Sequence, residues 1–409
     1  MGVKWNTGDY NPGFLAKRLE GLKTKDNAGR IGFKGFATQD ILAVIDSSIE
    51  FSEPLPEVEK RRIIWSSIIS AAKGRLSDKT ILAEILKGER EFVQRPRKPF
   101  VLATSLSVTR FTPLKGTEIS GCRMRFDASL PRRFDREKIK DTVRHHIVGD
   151  LPSSYTTVRT SVRARSEYEA AEAALDAIDL LRGIWNLFFN RQTGIRMSSG
   201  RQRPVNSILL GPLHTLHEPN GKPALELFWY DPEYVEPVQC KDLHQSWGKL
   251  QKFERTVRKK LVGHHYRSDM EEAIRRYVRA LDSRDWNSSF LRLWSLLEFL
   301  TATERADYKQ TIRRVLFLYK EGEFHEQILN HLRNYRNRTV HTGDETQEIE
   351  TLLHQLRQYV ECLLEFHLAN RLGFSRLTET AEFLHQPTDL PFLQKRLLMT
   401  KRAIRFLSD

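Results

Sequence analysis

The residues best suited to chemistry form a short basic cluster between positions 332 and 343, which reads LRNYRNRTVHTG. Arg333, Asn337 and His341 are spaced i, i+4 and i+8, so a helix places them in one row. Histidine titrates close to neutral pH and can take up or release a proton. Arginine stays charged, and its planar guanidinium fits phosphate oxygens on which negative charge develops. Together these residue types suit the cleavage of RNA by its own 2′-hydroxyl group, which requires no metal ion.

The cluster is predicted to form the last turns of a helix. Its apolar side would comprise Leu332, Tyr335 and Val340. Gly343 follows at the position where a left-handed cap forms most easily. Arg336 precedes His341 by five positions, which corresponds to about 140° around a helix. The two side chains therefore meet only if the helix unwinds near 339–341 or if a second copy of the helix docks alongside.

Two segments resemble a known family. Arg336-Asn337-x-x-x-His341 matches the Arg-Asn-x-x-x-His motif of HEPN ribonucleases, and the following Thr-Gly continues it as in Apea-like HEPN domains. Upstream, residues 293–300 (LWSLLEFL) resemble the apolar first core helix of these domains, with Glu298 as its buried acidic residue. The resemblance covers the last third of the chain.

The resemblance implies a metal-independent endoribonuclease that has no cofactor and leaves a 2′,3′-cyclic phosphate. His341 would be the general base or acid, and Arg336 would stabilise the charge that develops on the phosphorane. Asn337 would fix the tautomer of His341 or hydrogen-bond the phosphate. We expect Arg333 and Arg338 to hold the RNA backbone.

The resemblance further implies a homodimer in which two such helices face each other and build one composite site. It suggests a bacterial toxin or anti-phage defence effector, with an antitoxin or a defence-system protein as partner. A carboxylate in an apolar helix requires a partner, so we hypothesise that Glu298 forms a salt bridge with an arginine of the motif helix. Two alternatives stay open: a non-catalytic HEPN module that binds RNA or a nucleotide as a sensor, and a bundle that only binds partner proteins.

Composition narrows the classes of protein and partner. The 409 residues include 66 lysines and arginines against 52 aspartates and glutamates, a formal net charge of +14. Nucleic acid is the commonest partner of a chain with such a balance. A charge that serves solubility and a preference for anionic membranes are the alternatives. No apolar run approaches the ~20 residues that span a membrane, and the N-terminus lacks the apolar stretch of a signal peptide. We therefore expect a cytoplasmic protein with no membrane partner.

Other catalytic signatures are missing from the sequence. It contains no Gly-x-Ser-x-Gly elbow, no His-Glu-x-x-His and no phosphate-binding P-loop motif. The three cysteines, Cys122, Cys240 and Cys362, are far apart and lack metal-ligand spacing. We expect no metal site.

Hydrophobic periodicity predicts an α+β fold with three regions. Residues 1–99 are predicted to be helical, after a loosely structured basic arm at 1–36. Residues 100–240 are predicted to form an α+β domain with antiparallel strands near 100–108, 122–126 and 158–164 and a hairpin at Asn220-Gly221. Residues 250–409 are predicted to form an all-α, HEPN-like bundle after a linker at 232–248.

The pattern also predicts two basic surfaces, one on the strands and one on the C-terminal helix. The solvent face of the strands is predicted to carry a stripe of arginines, Arg123, Arg125, Arg159, Arg163 and Arg165. The stripe is either a track for RNA phosphates or an ordinary solvated sheet face. The basic helix at 392–407 is expected to pack back onto the bundle or onto the N-terminal region.

Overall fold

The protein has an α+β fold in which helices pack around one antiparallel sheet, as predicted. The computed structural model describes residues 2–110, 114–134, 136, 142–143, 145, 151–192, 194, 202–303, 307–342 and 348–408. Within these residues, no helix is long and apolar enough to cross a membrane.

The N-terminal region is a helical unit with its own hydrophobic cluster. Its helices are α1 (Pro12–Leu22), α2 (Ala37–Ser48), α3 (Glu57–Ala71) and α4 (Asp78–Gln94). Two small antiparallel sheets accompany them, β1 (Lys4–Trp5) with β4 (Ile49–Glu50) and β2 (Lys23–Lys25) with β3 (Ile31–Phe33). The cluster includes Leu19, Ile45, Ile68 and Ile85, each fully buried. Four helices around one hydrophobic cluster therefore make up most of this region.

The expectation of a loosely structured arm at 1–36 is wrong. Helix α1 begins where the Asn11 side chain accepts a hydrogen bond from the Phe14 amide, with proline in the first turn. The β2–β3 turn is closed by the Asp26 carboxylate, which accepts from the backbone amides of Ala28 and Arg30. Local caps and turns specify this segment, and hydrophobic periodicity does not report them.

The central sheet has six antiparallel strands in the order β10-β9-β5-β8-β7-β6. Their bounds are β5 (Lys98–Leu106), β6 (Gly116–Ile119), β7 (Cys122–Asp127), β8 (Thr156–Ala164), β9 (Leu213–His217) and β10 (Pro223–Tyr230). The three predicted strands and the hairpin at Asn220-Gly221 are confirmed. Strand β6 was not predicted from the sequence.

Helix α5 (Glu167–Asn190) joins the sheet to the C-terminal helices. Gly183 permits its close approach to α7, because a Cβ atom there would lie 2.6 Å from Cγ2 of Ile274. The remaining helices are α6 (Trp247–Val262), α7 (Arg267–Ala280), α8 (Trp286–Leu300), α9 (Tyr308–Leu316), α10 (Gly322–Thr342), α11 (Ile349–Ala369), α12 (Leu377–Leu384) and α13 (Leu390–Ser408).

One hydrophobic cluster extends from Phe100 to Leu384, so the core continues across the predicted boundary between 240 and 250. The predicted linker at 232–248 is packed rather than free, because Leu243 is fully buried and the Val238 amide donates to the Tyr155 hydroxyl. Helix α13 does not pack back as expected, since none of its described residues is buried.

A buried ion-pair network ties α5 to the end of α7. Arg182, only 1% exposed, donates to Asp179 and makes two 2.7 Å hydrogen bonds to the carboxylate of Asp282. Burial opposes ionisation of Asp179, but Arg182 and Arg279 overcome it and lower the pKa of its carboxyl group. The network is charged throughout, so removing one member leaves another buried charge without its partner.

Asp179→Ala is expected to lower the free energy of unfolding by about 3–5 kcal/mol, because Arg182 would stay buried with only part of its compensation. The matched control is Asp176→Ala on the same helix, whose partially exposed carboxylate pairs with Arg279 and should cost at most about 1 kcal/mol. Urea denaturation of both variants measures the difference. Equal losses for both would contradict this account.

A second polar network holds α11 against the end of α8. The His367 Nε2–H donates to the Leu300 carbonyl, and its Nδ1 accepts from the Tyr266 hydroxyl. Burial lowers the pKa of His367 to about 4, below the ordinary value of 6.5. A proton on Nδ1 would also replace the lone pair that accepts from Tyr266.

The unfolded chain therefore binds more protons at His367 than the folded chain between about pH 6.5 and pH 4. The stability linked to His367 is fully present above this window and is lost as the pH falls through it. We expect His367→Gln to reduce the pH dependence of unfolding between pH 7 and pH 4.5, measured by urea denaturation. An unchanged slope would contradict the buried, neutral state of His367.

Candidate functional site

Helix α10 carries the basic cluster, and its buried face fixes its position on the bundle. Leu329, Leu332 and Tyr335 are buried at three-residue intervals. The Tyr335 ring packs edge-on against Phe290 of α8, with ring centroids 5.0 Å apart. The Tyr335 hydroxyl donates a hydrogen bond to Oδ1 of Asn287. Because Tyr335 directly precedes Arg336, these contacts also determine where Arg336 lies.

The guanidinium of Arg336 lies over the ring of Tyr308, with 4.9 Å between Cζ and the ring centroid. The Trp294 ring packs edge-on against the Tyr308 ring, with ring centroids 6.1 Å apart. Among the residues that the structure describes, no carboxylate pairs with Arg336. The guanidinium is thus oriented by an aromatic ring and keeps hydrogen-bond donors for a ligand.

The predicted salt bridge between Glu298 and an arginine of α10 does not form within the described part of the chain. Glu298 is half-buried, and its Oε1 accepts from Nε1 of Trp294 at 2.9 Å. Trp294 lies one helical turn earlier on α8, and a buried indole N–H requires an acceptor. Glu298 therefore supports Arg336 only indirectly, through Trp294 and Tyr308.

The other residues of the cluster occupy the outer part of α10. Arg333 and Asn337 are half-buried, and Arg338 is exposed. Helix α10 extends to Thr342, so the backbone positions of Arg333, Asn337 and His341 follow one row at four-residue intervals. The side chain of His341 and the predicted cap at Gly343 lie outside the described residues.

The prediction that Val340 belongs to the apolar side of the helix is wrong, because its side chain is 49% exposed. Tyr335 is the last buried residue of α10 in the part of the chain that is described. The side chains from Arg336 to Val340 are half-buried or exposed, so a long polyanion has access to this part of the helix.

A groove of about 930 Å³ adjoins Arg333, between α9, α10 and the segment 386–389. Its charged lining comprises the cations Lys309, Arg313, Lys320 and Arg333 and the carboxylates Glu326 and Asp389. Phe317 and Tyr319 add aromatic surface. None of the four cations forms an ion pair with another described residue. The groove therefore presents positive charge about 12 Å along the helix axis from position 341, eight residues at about 1.5 Å each.

These groove cations and Tyr308 were missed from the sequence. Periodicity predicts α9 as a helix, but it carries no signal for which neighbour α9 contacts. Among the described residues, no three His, Cys, Asp or Glu side chains converge as a metal site would require.

The arginine stripe on the sheet is only partly available to a ligand. Arg125 pairs across the strands with Arg159, which confirms that these two share one region of the sheet. Arg159 is ion-paired to Asp127, and Arg165 follows the end of β8 and pairs with Glu169. The other members, Arg123, Arg125 and Arg163, are exposed. The cluster on α10 is consequently the stronger candidate site.

No family model matches this chain, and searches of curated proteins and of solved structures find no match either.

Arg336 and Tyr308 are expected to be energetically coupled. In a double-mutant cycle with Tyr308→Leu and Arg336→Met, the coupling free energy should be about 0.5–1 kcal/mol, the range for a partly exposed cation–π pair. Urea denaturation of the four proteins measures it. A coupling indistinguishable from zero would show that Tyr308 does not hold the guanidinium.

Proposed function

We propose that the protein is a metal-independent endoribonuclease of the HEPN type that cleaves RNA through attack of a ribose 2′-hydroxyl. The observation that carries this proposal is the placement of Arg336, which Tyr308 supports and which has no carboxylate partner within the described residues. It lies near the surface end of a helix that also contains His341. The basic groove beside Arg333 and the net charge of +14 add support.

The proposed reaction is an internal transesterification. One imidazole, that of His341, removes the proton from the 2′-hydroxyl, and the 2′-oxygen forms a bond to phosphorus. Arg336 stabilises the negative charge that builds up on the phosphorane oxygens. The bond from phosphorus to the 5′-oxygen then breaks, and this oxygen takes up the proton that the His341 imidazolium carries. The products are a 2′,3′-cyclic phosphate and a 5′-hydroxyl end.

The geometry of α10 favours a dimeric site. Arg336 and His341 lie about 140° apart on one helix, and α10 remains helical through Thr342 rather than unwinding near 339–341. In this proposal a second copy of α10 docks alongside, so that His341 of one copy and Arg336 of the other act on one phosphate. Asn337 orients the imidazole or the phosphate, and Arg333 and Arg338 hold the RNA backbone.

The biological role in this proposal is that of a cytoplasmic toxin or anti-phage defence effector, restrained by an antitoxin or another partner protein. This part depends on the motif resemblance alone. The alternative is a module that binds RNA without cleaving it, which the basic groove supports equally well.

His341→Ala separates the two functions. For an enzyme we expect the cleavage rate to fall by about 10²–10⁴-fold, the range for loss of a general acid or base, while RNA affinity stays nearly unchanged. Arg336→Ala should reduce cleavage and also weaken binding by about 1–3 kcal/mol, because a charge-assisted phosphate contact is lost. Gel analysis of RNA incubated in chelator, with filter binding alongside, measures both quantities.

His331→Ala is the matched control, because His331 is an exposed histidine ten residues earlier on the same helix. It should cleave at the wild-type rate. Binding without cleavage in the wild-type protein would support the non-catalytic alternative and contradict the endoribonuclease.

A further inference from the structure

Helix α13 is a long, exposed helix at the C-terminal end of the described chain. It spans Leu390–Ser408, and none of its residues is buried. Its first turn is capped by Asp389, whose side chain accepts from the Phe392 amide, and Arg396 donates a hydrogen bond to Gln386. Large apolar side chains are among the most exposed in the protein, including Phe406 at 82% and Leu407 at 83%.

Most of the apolar residues of α13 occupy one broad side of the helix. With about 100° per residue, nine of them fall within roughly 200° of the circumference, whereas Pro391 and Leu398 lie on the other side of the helix. This side comprises Leu390, Phe392, Leu393, Leu397, Met399, Ala403, Ile404, Phe406 and Leu407. Arg396 is the one cation on this side, and its long stem can extend its charge toward water.

The opposite side of α13 is basic. It carries Lys395, Lys401, Arg402 and Arg405, and the helix contains no aspartate or glutamate. None of these cations has an ion pair among the described residues. The chain thus exposes a broad apolar side together with five uncompensated positive charges.

We propose that α13 adsorbs to the surface of a phospholipid bilayer that contains anionic headgroups. A basic helix with leucine and phenylalanine on its other side lies in the plane of such an interface, where the apolar side enters the acyl boundary and the cations meet the headgroups. The helix does not cross the bilayer. This proposal departs from the sequence-based expectation of no membrane partner, and it does not depend on the ribonuclease activity.

A second copy of α13 fits these observations less well. Leu390, Leu393, Leu397, Ile404 and Leu407 do follow the heptad spacing of a coiled-coil seam. In a two-stranded coiled coil, Arg396 and Lys401 of each helix would nevertheless flank the seam without any carboxylate to offset them. It would also leave Phe392, Met399 and Phe406 in water, since they lie outside the narrow seam.

Vesicle flotation of the full-length protein tests the proposal. We expect binding to vesicles of phosphatidylcholine mixed with phosphatidylglycerol, little binding to phosphatidylcholine alone, and release at high salt. Arg402→Glu/Arg405→Glu should reduce the partition coefficient at least about tenfold, as should Leu397→Ser/Ile404→Ser, which retains every charge. Because these side chains are exposed, the variants should remain folded, and urea denaturation checks this.

Two control variants lie on α6 (Trp247–Val262), a different helix. Lys259→Glu/Lys260→Glu reverses two exposed charges, and Val262→Ser removes a side chain that is 72% exposed. Both should float like the wild-type protein. Equal losses for the α6 and α13 charge variants would overturn the proposal, because net charge alone would then explain binding. Absence of flotation, or a dimer by light scattering that the serine variant converts to a monomer without any vesicle binding, would overturn it as well.

Discussion

The packing of Tyr335 against α8 is the interaction on which the rest of the candidate site depends. The Tyr335 hydroxyl group donates a hydrogen bond to Asn287, and its ring packs against Phe290. These two contacts fix both the depth and the rotation of α10. A polar anchor within an apolar interface selects one arrangement where aliphatic packing alone tolerates several. With this rotation, Arg336 lies on Tyr308, and Val340 is left at the surface.

The charged side chains fall into two groups, those in ion pairs within the protein and those without an ion pair. Arginines of α5 and α7 form ion pairs within the protein, as Arg182 does with Asp179 and Asp282. Cations without ion pairs in the described chain line the groove beside Arg333 and cover one side of α13. Part of the net charge of +14 therefore lies on these two surfaces, where a polyanion or an anionic interface would meet it.

The sequence predicted most of the helices and strands that position the site, because each of them buries one face and so shows a clear period. All six helices expected between 250 and 371 are present. It failed at 1–36, where the cap at Asn11 and the turn at Asp26 specify structure without periodicity. The prediction that α13 packs back onto the protein also failed. A periodic pattern of apolar residues indicates that one face of a helix will be buried, but it does not identify the surface that buries it.

The candidate site was predictable only in part. The row of Arg333, Asn337 and His341 follows from helical spacing, and α10 does extend through these positions. The contact between Arg336 and Tyr308 joins two different helices, and no local pattern encodes it. For Glu298, the need for a partner was predicted correctly. The partner is Trp294, one turn away on the same helix, rather than an arginine of α10.

The chemistry of the RNA ends tests the central proposal most directly. RNA would be incubated with the full-length protein in chelator, and the product termini would be identified by mass spectrometry. Attack by the 2′-hydroxyl, assisted by His341 and Arg336, predicts 2′,3′-cyclic phosphate and 5′-hydroxyl ends that disappear with His341→Ala. Products with 3′-hydroxyl and 5′-phosphate ends, or cyclic phosphate ends that persist in His341→Ala, would contradict it.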